Sequence, residues 1–367
     1  MTNQDGRSLV QVAHEALAHD QFPGAEWEHA DPATLGWSIE GLKTADDYEK
    51  HIGFTSVMVI QHGVVVDEWG NTHSNTPIYS ARKSFMSALY GIAQARGQIN
   101  VDATLEQLGI DDNAPSLTPA EKQTRLIYML EARSGVYHDA AYEPATMVAR
   151  RPPRGSHAPN TFWYYNNWDF NTLGSIYEKE IGVSVFKAVQ TELAAPIGMQ
   201  DYSTLNGRDV GDSSSRYPAY TMQISARDMG RFGLLYLNRG SWNGKQIIPA
   251  DWVAKSQIPY SDTGRGGYGL LWWTNQEPDG HVMHNMPASY WAEGNFGQFI
   301  IVTPALDMVV VLRFDTLRKG HKQDGKIKPG SAMEALWLVE SASGATHIGT
   351  EPIVARERKK EKEETGP

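Results

Sequence analysis

Ser80 and Lys83 stand three residues apart in Ile78-Tyr79-Ser80-Ala81-Arg82-Lys83-Ser84-Phe85-Met86. They open a run, residues 83–95, whose apolar spacing predicts a helix. On a helix such a pair shares a face, with Cβ atoms roughly 5–6 Å apart. An amine that close can accept or relay the hydroxyl proton, and serine is a weak nucleophile until something does so. The first helical turn also carries the positive end of the helix dipole, which favours a developing alkoxide. The pattern recurs at Ser184 and Lys187, where the serine precedes an amphipathic run and reads as a helix N-cap.

Two further stretches could complete a site. Tyr165-Asn166-Asn167 follows the aromatic run Phe162-Trp163-Tyr164. A lysine ammonium nearby would stabilise the Tyr165 phenolate, which could take the serine proton and pass it to a leaving group. Asn167 could bond the lysine or a substrate carbonyl. The alternative is a well-packed aromatic loop. Tyr236-Leu237-Asn238 repeats the spacing just before Arg239-Gly240 and reads as an ordinary helix end. The other stretch is Trp291-Ala292-Glu293-Gly294-Asn295-Phe296-Gly297-Gln298. Glycines on a strand let another backbone approach closely, so a main-chain N–H there could reach the oxyanion of a substrate acyl group. They could equally mark a bulge.

The elements that must position these residues follow from periodicity and turn chemistry. Residues 56–61 and 64–69 are apolar, largely β-branched runs about His62-Gly63, which predicts a hairpin. Residues 268–274, 299–303 and 308–314 read as strands, the last two flanking Pro304-Ala305-Leu306-Asp307. Helices are expected over residues 9–18, 119–132, 170–181, 184–193, 226–237 and 331–339. The second of these is opened by the capping box Thr118-Pro119-Ala120-Glu121. Strand-rich ends around a helical middle imply an α/β protein of two lobes. One antiparallel sheet is built from both ends of the chain and flanked by the first and last helices; an all-helical lobe is inserted. The expected divisions are an amino-terminal extension (1–50), the α/β lobe (51–97 with 211–345), the helical lobe (98–210) and a charged tail (346–367). A site would lie between the lobes, where clefts form.

Composition removes several classes of function. The net charge of −10 disfavours a non-specific grip on nucleic acid or on an anionic membrane. No apolar run approaches the roughly 18 residues of a membrane helix. Residues 1–20 lack a basic stretch followed by an apolar one, so a cytoplasmic location is expected. The absence of cysteine excludes disulfides, a thiol nucleophile and thiolate metal sites.

Taken in order, the three stretches resemble the serine β-lactamase and penicillin-recognising enzyme family, whose signatures are Ser-x-x-Lys, Tyr-x-Asn and a Lys/His-x-Gly strand. The likeness is closest to class C β-lactamases and to the esterases and amide hydrolases of that fold, including 6-aminohexanoate-dimer hydrolase. It runs over residues 54–345 and includes Met129-Leu130-Glu131-Ala132-Arg133-Ser134-Gly135-Val136. The resemblance implies Ser80 as acylated nucleophile, Lys83 as its activating partner and Tyr165 as general base and later acid. Asn167 would belong to the polar network, and the N–H groups of Ser80 and Asn295, beside Gly294, would form the oxyanion hole. It implies no cofactor, and a small-molecule ester or amide as partner. At the third signature the chain departs from the family, because Ala292 stands where a lysine or histidine is expected. With Glu293 adding negative charge, an ester or amide without a carboxylate is the expected substrate.

Other patterns carry less. Gly264-Arg265-Gly266-Gly267-Tyr268-Gly269 matches a dinucleotide motif but precedes a strand, where the motif needs a helix, so it reads as a turn. His14 and His19 are five apart and cannot share a helical face, and His281 and His284 have no evident third ligand. No Gly-x-Ser-x-Gly elbow occurs.

Overall fold

In the computed structural model, which describes residues 21–283, 286–318 and 327–345, strands β1 (Ser56–Gln61) and β2 (Val64–Gly70) form the expected hairpin. Its turn residues His62 and Gly63 both take positive φ, 52° and 75°, the geometry that matches the twist of the flanking strands. Six more strands join them: β3 (Ser261–Asp262), β4 (Gly267–Tyr268), β5 (Trp273–Thr274), β6 (Tyr290–Gly294), β7 (Gln298–Thr303) and β8 (Met308–Arg313). The sheet runs in the order β2-β1-β8-β7-β6-β5-β4-β3, every neighbour antiparallel. Ser56 of β1 faces Arg313 of β8 and Gln61 faces Met308. Early and late parts of the chain are therefore stitched together as the second and third strands of the sheet.

All residues of β1, β7 and β8 are buried. Antiparallel strands that are covered on both faces need a layer on each side, and four helices supply much of it: α1 (Ile39–Ile52), α2 (Arg82–Ala95), α4 (Ala226–Leu237) and α5 (Pro329–Ala342), while α3 (Asn167–Ile181) packs on the Ser215–Ile224 strand, where Gly174 meets the Tyr220 ring. Helix α4 lies on the face formed by Ile60, Ile300 and Val309, and a Cβ at Gly233 would come within 2.8 Å of Ile300 Cγ2. Helix α2 stacks on α4 through Phe85 and Phe232, whose rings are 3.8 Å apart. The opposite face meets α5, where Thr303 donates to Glu340 at 3.0 Å.

Helix α1 falls within the stretch assigned from sequence to the amino-terminal extension. It is capped by Ser38 and closed by Gly53 at φ 104°, and it is held to the end of α5 by the Ser38 N–H on Ala342 O at 2.8 Å. Its buried residues Leu42, Ala45 and Glu49, with Tyr48 and Ile52 packed beside them, form a helical stripe between a Ser cap and a Gly stop, a signal that the sequence carries. Two other expectations need correction. Residues 268–274 do not form one strand: the chain reverses at Leu271 (φ 62°), and Trp273 of β5 pairs back on Tyr268 of β4. The helix expected over 119–132 keeps its capping box but splits into Pro119–Lys122 and Leu126–Leu130. There the Leu126 and Ile127 amides bond the Ala103 and Val101 carbonyls instead of continuing the helix.

A smaller sheet leads into the Ser80 stretch. Thr76–Pro77 pairs with Ser215–Ile224, which pairs in turn with Gly207–Asp212, so the last strand straddles the expected end of the inserted lobe. Buried Arg313 of β8 bonds Thr76 O at 3.1 Å, Ile224 O at 2.6 Å and Gln298 Oε1 at 2.6 Å, joining the small sheet to the large one. The expected helix at 9–18 with His14 and His19, the residue His284 and the tail 346–367 lie outside the described residues. Among the described residues no helix is long and apolar enough to cross a membrane.

Candidate active site

Ser80 sits in a single 3₁₀ turn, Tyr79–Ala81, that runs directly into α2. Tyr79 holds φ at 48°, a left-handed conformation for a bulky side chain. Such a residue costs on the order of 1–3 kcal/mol and persists only where its surroundings fix it. Here the Tyr79 ring packs 5.0 Å from that of Phe296, its hydroxyl donates to Thr316 Oγ1 at 3.0 Å, and its carbonyl accepts from Arg82 Nη1 at 3.1 Å. The kink turns Ser80 into a cleft of about 460 Å³ that Tyr165, Asn167, Gly294 and Asn295 also line.

Lys83, one helical turn on, is buried. Its Nζ lies 2.6 Å from Ser80 Oγ, 2.9 Å from Tyr165 Oη and 3.4 Å from Asn167 Oδ1. The fold thus gathers Ser80, Lys83, Tyr165 and Asn167 into one hydrogen-bonded cluster, although 82 positions separate Lys83 from Tyr165. Tyr165 is placed by the stretch before it: Tyr164 N–H bonds Ala132 O at 2.9 Å and Asn160 N–H bonds Arg133 O at 2.8 Å. Asn166 caps α3 by accepting from Asp169 N–H at 3.1 Å, which puts Asn167 at the first position of that helix. Asn167 Nδ2 donates to Tyr142 O at 2.8 Å. Its donor is therefore committed to the cleft wall, and its oxygen is left for the lysine.

Electrostatics alter the expected starting state. Desolvation, seconded by the neighbouring Arg82 charge, pulls the Lys83 amine well below its usual value. Burial pushes the Tyr165 phenol above its own, more than a hydrogen bond from Ser80 and the Arg82 charge pull it down. Both effects favour the uncharged forms. From sequence an ammonium beside a phenolate is expected; the buried cluster favours an amine beside a phenol.

The third stretch is strand β6 and the turn after it. A Cβ on Gly294 would collide with Ile78 O and lie 3.2 Å from the Ala81 amide nitrogen. The backbone that comes close to this glycine is the Tyr79–Ala81 turn that carries Ser80. Gly294→Ala should therefore push β6 off that turn. A shift of this kind costs about 1–3 kcal/mol of stability, and misplacement by an ångström costs about 10² in rate; thermal melts and kcat/KM check both. Wild-type rate in the alanine variant would show that the close contact does not set the site.

Arg150, Arg265 and Trp273 line the cleft although the sequence gives none of them a role there, and Glu293, noted for its negative charge, proves to be paired. Glu293 accepts from Arg265 Nη1 and Nη2, each at 3.0 Å, and from Trp291 Nε1 at 3.1 Å. The Arg265 guanidinium carbon lies 4.0 Å from the centre of the Trp273 ring. Arg82, Arg150 and Arg265 all reach the cleft, so the positive charge absent at Ala292 enters from three other places. Arg82 lay in view between Ser80 and Lys83, but only the strand reversal at Leu271 brings Arg265 to β6. Ser184 accepts from Lys187 N–H at 3.2 Å as an N-cap, and Asn238 ends α4, as their sequence contexts suggest. No cluster of three metal-binding side chains occurs among the described residues.

The family model described as Beta-lactamase matches residues 39–326 of this chain. Among solved structures, a Bacillus anthracis protein provisionally described as a 6-aminohexanoate-dimer hydrolase aligns at 18% identity and a TM-score of 0.61, over 89% of this chain and 88% of that one. A class C β-lactamase aligns at 16% identity with a TM-score of 0.58, over 86% of this chain and 98% of its own. An octameric penicillin-binding protein homologue from Pyrococcus abyssi aligns at 16% identity and 0.59, over 82% and 77%. At these identities the likeness speaks for the fold. No curated protein matches the chain in sequence. By its family match and its mixed helix and antiparallel-sheet fold, the chain belongs to the β-lactamase family.

Proposed function

We propose that this protein hydrolyses an ester or amide through an acyl-enzyme on Ser80. One observation carries the reading: Lys83 Nζ stands within 2.6 Å of Ser80 Oγ and 2.9 Å of Tyr165 Oη, in a buried cluster that opens onto a substrate-sized cleft. The uncharged Lys83 amine takes the Ser80 proton as Oγ bonds to the carbonyl carbon. The carbonyl electron pair moves onto oxygen, where the amides of Ser80 and Asn295 receive it; losing one such donor costs about 10²–10³ in rate. The proton then passes from Lys83 through the Tyr165 hydroxyl to the leaving alcohol or amine as its bond to carbon breaks. Water attacks the acyl ester by the reverse proton route and frees the acid and Ser80. No cofactor enters this scheme. Tyr79, Tyr142, Trp163, Tyr164 and Trp273 on the cleft wall suit an apolar acyl or alcohol group.

A second reading, hydrolysis of a β-lactam or a D-amino-acid peptide by the same steps, is favoured by Arg150 and Arg265 in the cleft. They could meet a substrate carboxylate although Ala292 cannot. Turnover of a short-chain nitrophenyl ester, a linear amide and a chromogenic cephalosporin under one set of conditions separates the two. The ester or amide is expected to dominate, and cephalosporin turnover that rivals it would reverse the order. If no substrate is turned over and Ser80 takes no adduct, the protein is a binding member of its family.

A further inference from the structure

Between the serine and the lysine lies a side chain with no evident structural counterpart. Arg82 is the first residue of α2 and is only 2% exposed. Its Nη1 donates to Tyr79 O at 3.1 Å, and its guanidinium carbon sits 4.9 Å from the centre of the Tyr220 ring. Its Nε and Nη2 are buried with no hydrogen-bond partner, and among the ion pairs of the described residues none includes it. A guanidinium is a permanent cation, and a buried cation without a counter-charge is costly. Arg265, in the same cleft, is by contrast paired with Glu293. A cost borne at the residue between nucleophile and base points to a use there.

We propose that Arg82 is a positioning residue that supplies the positive charge of the Ser80–Lys83–Tyr165 network and anchors the turn that presents Ser80. Strand β6 does not bring such a charge, since Ala292 is apolar and Glu293 acidic. The anchoring is direct, through the bond to the carbonyl of Tyr79, whose left-handed conformation sets the direction of Ser80. The electrostatic part acts through space: a like charge beside Lys83 disfavours its ammonium, and the same charge favours the Tyr165 phenolate. The other groups that bear on the pair are Ser80 from its own turn, Asn167 and the Phe170 ring from α3, Tyr220 from the small sheet, Tyr268 from β4 and Glu293 from β6. Among the described residues, Glu293 is the one acid that bears on the pair, and it is already held by Arg265 and Trp291.

The inference rests on Lys83 acting as the base of the proposed reaction. It is tested by the pH dependence of the acylation burst with a neutral nitrophenyl ester in wild type, Arg82→Gln and Arg82→Lys. Activity should fall as pH drops through the ionisation of Lys83, so wild type has an acid limb. Removing the like charge in Arg82→Gln should move that limb up by about one pH unit, a roughly tenfold loss of rate at pH values below it. Arg82→Lys keeps the charge but not the planar donor; its limb should stay in place while the plateau rate falls. Arg82→Met, which fills the space beside Tyr220, replaces Arg82→Gln if that variant does not fold. An unmoved limb in the neutral variant, whatever its plateau, reduces Arg82 to a structural residue and overturns the proposal, as does an equal shift in Arg82→Lys. A wild-type enzyme with no burst defeats the reading of the reaction itself, and this proposal with it.

Discussion

Ser80→Ala should lower turnover by roughly 10⁴–10⁶, the range seen when a nucleophile is removed from a coupled catalytic group, while leaving the fold intact. The fold should survive because the strained residue of the turn is Tyr79, and its three anchors at Phe296, Thr316 and Arg82 do not involve the serine side chain. Lys83 loses its partner at 2.6 Å but keeps Tyr165 and Asn167, so the stability change should stay near the ~1 kcal/mol of one hydrogen bond. Steady-state turnover and a thermal melt together check the claim. Activity above a hundredth of wild type in a folded variant would remove Ser80 as nucleophile.

Lys83→Met should have the second largest effect, and with an unusual sign on stability. Methionine has nearly the length of lysine and no charge to desolvate, so it can occupy the buried channel toward Tyr165. Burial already pulls the lysine amine well below its ordinary value, which means the native fold opposes its charged form. Replacing a buried polar group by an apolar one of similar shape is often neutral or stabilising, provided the partners left behind find others. Ser80 and Tyr165 already interact through their hydroxyls. We therefore expect an unchanged or raised melting temperature together with an acylation rate lower by about 10³–10⁴, the scale of general-base loss. A variant that keeps a tenth of the wild-type rate would show that the amine is not the base. A sharply lowered melting temperature would show that Lys83 serves the fold.

What could be read from sequence was whatever depends on neighbours along the chain. The Ser80/Lys83 spacing, the Thr118–Glu121 capping box, the Ser184 cap and the β1–β2 hairpin are all local chemistry, and each appears in the structure. The convergence of Tyr165 on Lys83 was not visible from either stretch alone; the order of three signatures suggested it. Features set by distant contacts were hidden. The 119–132 helix breaks because Val101 and Ala103 claim its amides, and the 268–274 strand folds back at Leu271 to pair with itself. For Gly294 the sequence leaves a close approach and a bulge equally open, and the backbone that comes close is that of Ile78. The charge of the cleft misled for the same reason: Ala292 was legible, whereas the arginines that line the cavity come from α2, residue 150 and the 263–266 turn.

The proposed reaction turns on an acyl group carried by Ser80. Rapid mixing with a nitrophenyl ester, quenching in acid and peptide mapping by mass spectrometry test it directly. A burst of about one nitrophenol per chain is expected, with the acyl mass on the peptide that contains Ser80, and neither in Ser80→Ala. Turnover without a burst or adduct, or an acyl group mapped to another residue, would contradict it.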